Sequence, residues 1–313
     1  MKVIYLGTPE FAVKPLKSII ESDKHEVVAV VTQPDKPVGR KAIITPPPVK
    51  KLAIEYGIPV LQFEKIRNGG ADELGKFNAD IMVTCAYGQI LSQEIIDVCK
   101  YGIINIHASL LPKYRGAAPI QYAVINGEKN TGVTIMQTEA GIDTGDILAA
   151  YKTEIGETET AGELAERLSE IGASKICEVL TAIEEGKVEP QKQNNEIATV
   201  VKTIKKCDAA LDFSNNYETV AHFINGMSPS PAAYAYIGNK SFKFYRAKAI
   251  DVGCGERKYG EVIEADKRLL IACDGGAVDI LEIQEEGGKR LSARDFLNGR
   301  KLKVGDLLTK EKC

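Results

Sequence analysis

Four short, predominantly apolar runs, Val3 to Leu6, Val27 to Thr32, Ile81 to Thr84 and Ile103 to Ile106, constrain this chain more than any other feature. None alternates polar with apolar positions, so each reads as a strand buried on both faces, the mark of a parallel sheet covered by helices. Helical runs at Glu10 to Glu21, Val49 to Tyr56 and Glu94 to Cys99 are interleaved with them, as parallel crossovers require. The expectation is an α/β unit with a Rossmann-like, mostly parallel sheet. Gly7 ends the first run without further glycines at dinucleotide spacing, which weighs against a nicotinamide-dependent dehydrogenase on the same kind of sheet.

The fourth run opens the most informative motif, Asn105-Ile106-His107-Ala108-Ser109-Leu110-Leu111-Pro112-Lys113-Tyr114-Arg115-Gly116. Alternate residues of an extended segment share a face, so the Asn105 amide and the His107 imidazole can approach one substrate from one side. The Ser-Leu-Leu-Pro turn then breaks the strand into a loop, where catalytic and binding groups on open α/β sheets concentrate. A second loop, 139 to 146, carries Asp143 between Gly141 and Gly145, whose backbone freedom allows a carboxylate to reach the imidazole. An isolated histidine at a strand end is more often structural, and an isolated aspartate in a glycine-rich loop more often caps a turn. His25 and His222 keep that plain reading.

These motifs resemble the folate-dependent formyltransferases. The resemblance spans nearly the whole chain, from Gly7-Thr8-Pro9-Glu10-Phe11-Ala12 through Asn-x-His-x-Ser-Leu-Leu-Pro-x-x-Arg-Gly to the C-terminal region. It puts Asn105, His107 and Asp143 on the family's catalytic positions and Ser109, Leu110, Leu111 and Pro112 near the folate. It also matches Tyr87, Gly88, Gln89, Ile90 and Leu91 to a loop that contacts the pterin. The implied reaction transfers a formyl group from 10-formyltetrahydrofolate, a dissociable co-substrate, to the methionine amine of initiator methionyl-tRNA. Residue chemistry agrees. Formyl transfer to an amine passes through a tetrahedral intermediate that needs donors aimed at its oxyanion and a route for the proton lost by nitrogen. Asn105 would hold the formyl oxygen, His107 would stabilise and protonate the intermediate, and Asp143 would orient and charge His107. The amine attacks directly, so no serine or cysteine nucleophile is required.

Downstream, Thr160-x-x-Glu163 reads as a capping box opening a helix over Ala161 to Glu185, closed by Gly186, with an apolar face of Leu164, Leu168, Ile171, Val179 and Ile183. Residues 189–206 are polar and aperiodic and read as a linker between a catalytic domain, 1–188, and a C-terminal domain, 207–313. In the latter a helix at Tyr217 to Asn225 precedes short strands at Ser241 to Ala247, Tyr259 to Glu264, Leu269 to Cys273 and Val278 to Gln284, a small β-barrel pattern. The resemblance makes this an OB-like, tRNA-binding domain. The stretch Asn225 to Tyr234 matches the family's entry to that domain, with Ser230 where tryptophan is usual.

Residues 201–313 carry 19 Lys and Arg against 16 Asp and Glu, a weak footprint for RNA. A sharper cluster is Lys36, Arg40, Lys41, Lys50 and Lys51 against Asp35 alone, in a proline-rich loop after the second strand. By the resemblance, Lys36, Arg40 and Lys41 reach the tRNA acceptor stem. Seven scattered cysteines contain no Cys-x-x-Cys pair, so reduced thiols without a metal centre are expected. No run approaches a membrane span and no signal peptide opens the chain, so a cytoplasmic, monomeric protein without membrane contact is expected. Three alternatives stay open: a sugar-nucleotide amine formyltransferase, a formyl-folate hydrolase and a folate-binding regulator. The basic loop favours tRNA over the first, and the amide–imidazole–carboxylate set disfavours the last.

Overall fold

The computed structural model describes residues 1–39, 41–253, 255–299 and 301–311, so Arg40 of the basic loop lies outside the described residues. These form two compact units. The first holds residues 1–116, 132–153 and 165–200, and the second holds 117–131, 154–164 and the chain from Val201 onward.

Through residue 201 the elements are β1 (Lys2–Gly7), α1 (Val13–Ile20), β2 (Glu26–Thr32), β3 (Lys36–Val38), β4 (Ile43–Thr45), α2 (Pro48–Glu55), β5 (Val60–Gln62), α3 (Gly70–Gly75), β6 (Ile81–Cys85), α4 (Gln93–Ile96), β7 (Ile103–His107), β8 (Arg115–Gly116), α5 (Pro119–Ile125), β9 (Asn130–Gln137), β10 (Ile147–Glu154), α6 (Ala161–Glu184) and β11 (Val200–Val201). Seven of the strands make one sheet in the order β10-β9-β7-β6-β1-β2-β5. The four apolar runs are its centre: β1 pairs in parallel with β2 and β6, and β6 with β7. β9 runs antiparallel to β7 and had no apolar run to announce it, since threonines and a glycine interrupt its valine, isoleucine and methionine. The strand order reverses between β1 and β6, so their carboxyl ends border the crevice where open α/β sheets bind ligands. Ile4, Leu6, Val31, Met82 and Ile103 are fully buried, which explains the lack of alternation.

α6 opens on the expected capping box, with Thr160 N donating to Glu163 Oε2 at 3.0 Å and Glu163 N to Thr160 Oγ1 at 3.3 Å. Its buried row differs from the expected face. Leu164, Leu168, Ile176, Val179 and Leu180 are buried, while Ile171 and Ile183 are only half-buried. Gly172 fills the gap in this four-residue row: a Cβ there would lie 3.1 Å from Ile106 Cγ2, so glycine lets the helix lie closely on the strand between Asn105 and His107. Helix α4 ends at Ile96 rather than Cys99, and α1 starts at Val13 after a 3-10 turn over Glu10–Ala12.

The second unit contains α7 (Tyr217–Gly226), β12 (Ala233–Ile237), β13 (Lys240–Ile250), β14 (Val262–Ala265), β15 (Leu269–Cys273), β16 (Gly276–Glu285), β17 (Leu291–Ser292) and α8 (Ala293–Asn298). Its antiparallel sheet runs β12-β13-β16-β15-β14, with β17 on β16, the small β domain that the strand spacing predicts. Edge-to-face pairs Phe213–Phe244 and Phe242–Phe296, each 6.3 Å between centroids, sit in its core. Asn225 is buried and reads both backbone groups of Ala247 at 2.9 Å, while Ser230, at the tryptophan position of the resemblance, is exposed. No helix among the described residues is long and apolar enough to cross a membrane.

Candidate active site

Asn105 and His107 leave the carboxyl end of β7 from the same face and meet at Asp143. The amide is oriented first. Thr84, opposite Asn105 in the β6–β7 register, donates its hydroxyl to Asn105 Oδ1 at 2.9 Å, which turns Nδ2 toward Asp143 Oδ1 at 3.3 Å. A carbonyl oxygen only accepts, so the 2.9 Å contact between His107 Nε2 and Tyr114 O puts a proton on Nε2. The other ring nitrogen, Nδ1, then faces Asp143 Oδ2 at 3.6 Å, within reach of an ion pair when it too carries a proton. Oδ2 already accepts from the Gly116 N–H at 2.8 Å. The imidazole is 5% exposed, so solvent screens this pairing little.

Two residues that touch the imidazole lie in the left-handed region, Tyr114 at φ 61° and Asp143 at φ 49°. Neither is glycine, and each such residue costs about 1–3 kcal/mol, strain that persists only where the surroundings impose it. At Gly145 the surroundings are visible. A Cβ there would lie 1.9 Å from Gln137 O, so the loop passes against the end of β9 with no room for a side chain. The glycines of this loop thus serve close approach, and the strained backbone falls on Asp143 itself.

The stretch expected as a linker supplies the rest of the scaffold. Gln191 exchanges both backbone hydrogen bonds with Ile147 at 2.8 Å, and Arg115 N donates to Thr199 O at 2.8 Å. Gln193 Nε2 donates to the carbonyls of Asp143 and Gly145 at 2.9 and 2.7 Å. Its Oε1 accepts from Arg115 Nε and Nη2 at 3.0 and 2.8 Å, and Asn195 Oδ1 accepts from Nη2 at 2.8 Å. Sequence reasoning had assigned none of Thr84, Arg115 and Gln193 a role. Thr84 was detectable as the polar residue ending an apolar strand, whereas nothing marked Gln193 within its polar surroundings.

The other expected residues divide. The Ser109 hydroxyl is buried and donates to Lys113 O at 2.7 Å, while Thr134 Oγ1 accepts from Leu111 N and donates to Ser109 O, fixing the turn that carries Leu110, Leu111 and Pro112. Tyr87 points into the core, where burial pushes its phenol up to about 12. Among the described residues the Tyr87 and Ser92 hydroxyls are buried without hydrogen-bond partners. Gly88 takes a left-handed turn, Gln89 ties the loop to Ile66 N and Phe63 O at 2.8 Å, Leu91 is half-buried, and Ile90 is 86% exposed.

The basic loop is a two-stranded ribbon, β3 on β4, with Lys36, Lys41, Ile43 and Ile44 exposed. Lys50 is not a free cation of that loop. It is bound to Asp35 at 2.8 Å and to Gln62 Oε1 at 2.8 Å, a network that clamps the ribbon's base and, with Lys50 as the main cause, holds the Asp35 carboxyl below its ordinary range. His25 is structural, with Nε2 3.1 Å from Thr181 Oγ1.

An amide, an imidazole and a carboxylate are gathered at one strand end, beside the crevice of a parallel sheet, a set of groups chemically able to support acyl transfer. The chain belongs to the formyl transferase family: the family's profile matches residues 1–180, and that of the formyl transferase C-terminal domain matches residues 203–301. Among its relatives, the methionyl-tRNA formyltransferase of Lachnospira eligens is 44% identical, over 98% of this chain and 99% of that one. The methionyl-tRNA formyltransferase of Citrifermentans bemidjiense is 42% identical, over 99% and 97%. In fold the chain is similar to a Helicobacter canadensis N-formyltransferase solved with folinic acid and dTDP-3-aminofucose, at TM-score 0.67 and 21% identity over 90% of this chain and 98% of that one.

Proposed function

We propose that the chain transfers the formyl group of 10-formyltetrahydrofolate to the α-amine of methionine on initiator methionyl-tRNA. The observation that carries this reading is the convergence of Asn105, His107 and Asp143 in a chain that is similar along its whole length to methionyl-tRNA formyltransferases. As the amine nitrogen adds to the formyl carbon, the carbonyl electron pair moves onto oxygen. Asn105 Nδ2 has a second N–H beyond the one given to Asp143, and it receives that charge. His107 Nδ1 stands 3.6 Å from Asp143 Oδ2, beyond hydrogen-bond length, so a proton there is held near the carboxylate without being committed to it. It serves the oxyanion first and the departing folate nitrogen next. The proton lost by the amine leaves through Asp143 or solvent.

The loop 87–91 and the turn 109–112 flank the folate, which is used as a dissociable co-substrate. Lys36, Arg40 and Lys41 bind acceptor-stem phosphates. The domains are 1–188 for catalysis, 189–206 joining, and 207–313, OB-like, for tRNA, and the monomeric chain works in the cytoplasm. A panel of acceptors with radiolabelled formyl donor tests the reading. Label should enter charged initiator tRNA, with little in charged elongator tRNA or amino-sugar nucleotides. Preferential labelling of the sugar, or formate release without an acceptor, would overturn it.

A further inference from the structure

Gln193 makes four hydrogen bonds at the site, and they saturate it. A side-chain amide offers two N–H groups and two lone pairs. Both N–H groups go to backbone carbonyls on either side of Thr144, those of Asp143 and Gly145, and both lone pairs take N–H groups of Arg115. Arg115 is itself 6% exposed, and a buried cation is tolerated only when its donors are satisfied, so the guanidinium is a rigid anchor. The next residue, Gly116, gives its N–H to Asp143 Oδ2. One dipeptide therefore grips Asp143 twice, directly at the carboxylate and through Gln193 at the backbone.

We propose that Gln193 is a positioning residue that holds the left-handed turn at Asp143 so that its carboxylate faces the His107 imidazole. The inference rests on the reading of Asp143 as part of the formyl-transfer site. Without the amide, Asp143 keeps its side-chain contacts but loses the clamp on a backbone conformation that a non-glycine residue disfavours. The carboxylate then samples displaced positions, and a displacement near 1 Å lowers turnover by on the order of 100-fold.

The test uses the full chain and a double-mutant cycle. Gln193→Glu keeps an acceptor for Arg115 but removes both donors and sets a carboxylate against two carbonyls. Gln193→Leu removes every polar contact. Asp143→Asn is made alone and combined with Gln193→Glu. In Gln193→Glu, kcat should fall by about 10- to 100-fold with KM for both substrates within about threefold of wild type. In the Asp143→Asn background the same substitution should lower kcat by less than about twofold, because its target is already lost. Full additivity of the two losses, or a folded Gln193→Glu with wild-type kcat, would overturn the inference while leaving Asp143 in place. A folded Asp143→Asn with wild-type turnover would instead overturn the reading of the site. Should Gln193→Leu fail to fold, Gln193→Glu still decides the question, since Arg115 keeps its partner there.

Discussion

Gly145→Ala should inactivate the enzyme without unfolding it. The added methyl carbon would lie 1.9 Å from Gln137 O and 2.9 Å from its carbonyl carbon, where ordinary contact begins at 3.4 Å. The loop must therefore retreat by roughly 1.5 Å, because the opposing atom is strand backbone and Gln137 N is tied to Asp146 O at 2.9 Å. Such a shift exceeds what the Asp143 contacts, 2.8 Å to Gly116 N and 3.3 Å to Asn105 Nδ2, can absorb, and it pulls the Gly145 carbonyl from Gln193. With about 1 Å of misplacement costing on the order of 100-fold, turnover should fall at least that far, while KM for formyl-folate changes little. Gly141→Ala is the control. Its methyl would meet the Thr144 side chain, 2.2 Å from Oγ1 and 2.9 Å from Cγ2, which rotation of a branched side chain cannot wholly clear. It meets no strand backbone, so the exposed loop can shift there and the loss should be smaller than for Gly145→Ala. Single-turnover formylation with radiolabelled donor, alongside circular dichroism, measures both. Wild-type turnover in Gly145→Ala, or equal damage from the two alanines, would refute the close-approach argument.

Asn105→Ala and His107→Ala should each lower kcat by about 100-fold or more with folate affinity nearly unchanged, and near-normal turnover in either removes that residue from the mechanism. Thr84→Val deletes the donor that orients the Asn105 amide at constant shape; kcat should fall by about tenfold, and an unchanged kcat would show that Asp143 alone suffices. Lys36→Ala with Lys41→Ala should make the salt dependence of tRNA binding shallower, by a slope near 2 if each contacts one phosphate, with folate affinity unmoved. Burial pushes the Cys85 thiol up to about 12 and Cys99 up to about 11, so thiol reagents at neutral pH should label exposed Cys207 and spare both, as peptide mapping would show. Asp35 is depressed by Lys50 and then Gln62, so its stabilising contribution is present above the ordinary carboxylate range and lost as pH falls through its lowered value; NMR titration should place it below the ordinary aspartate value, and Lys50→Met should bring it back up.

What could be read from the sequence was whatever one segment decides alone. Four apolar runs sufficed for the parallel centre of the sheet, because strands buried on both faces need no alternation. Thr160 and Glu163 fixed the start of α6 because both halves of a capping box lie within four residues. Asn105 and His107 were legible as a pair since strand geometry puts them on one face. β9 was not: its position beside β7 depends on pairing Ile104 through His107 with Gln137 through Thr134, which no local pattern encodes. Ile171 was misplaced on the buried face of α6 because the close approach at Gly172 is a property of Ile106 as much as of the helix.

The same distinction explains why Gln193 was hidden and what its neutrality accomplishes. A polar stretch without periodicity has the composition of a linker whether or not its amides are committed, and only the pairing of Gln191 with Ile147 brings this one to the site. A positive side chain bonded directly to the Asp143 carboxylate would hold it as firmly, but would take up the charge that pairs with His107. An amide between Arg115 and the Asp143 carbonyl transmits position and leaves the carboxylate to Asn105, Gly116 and His107. If that is the reason for the arrangement, Gln193→Lys, which would bring a cation to the turn, should disturb the pH profile of transfer as well as its rate. Gln193→Leu should lower the rate with a much smaller change in the profile. Matching profiles in the two variants would show that Gln193 matters for geometry alone and that its neutrality is incidental.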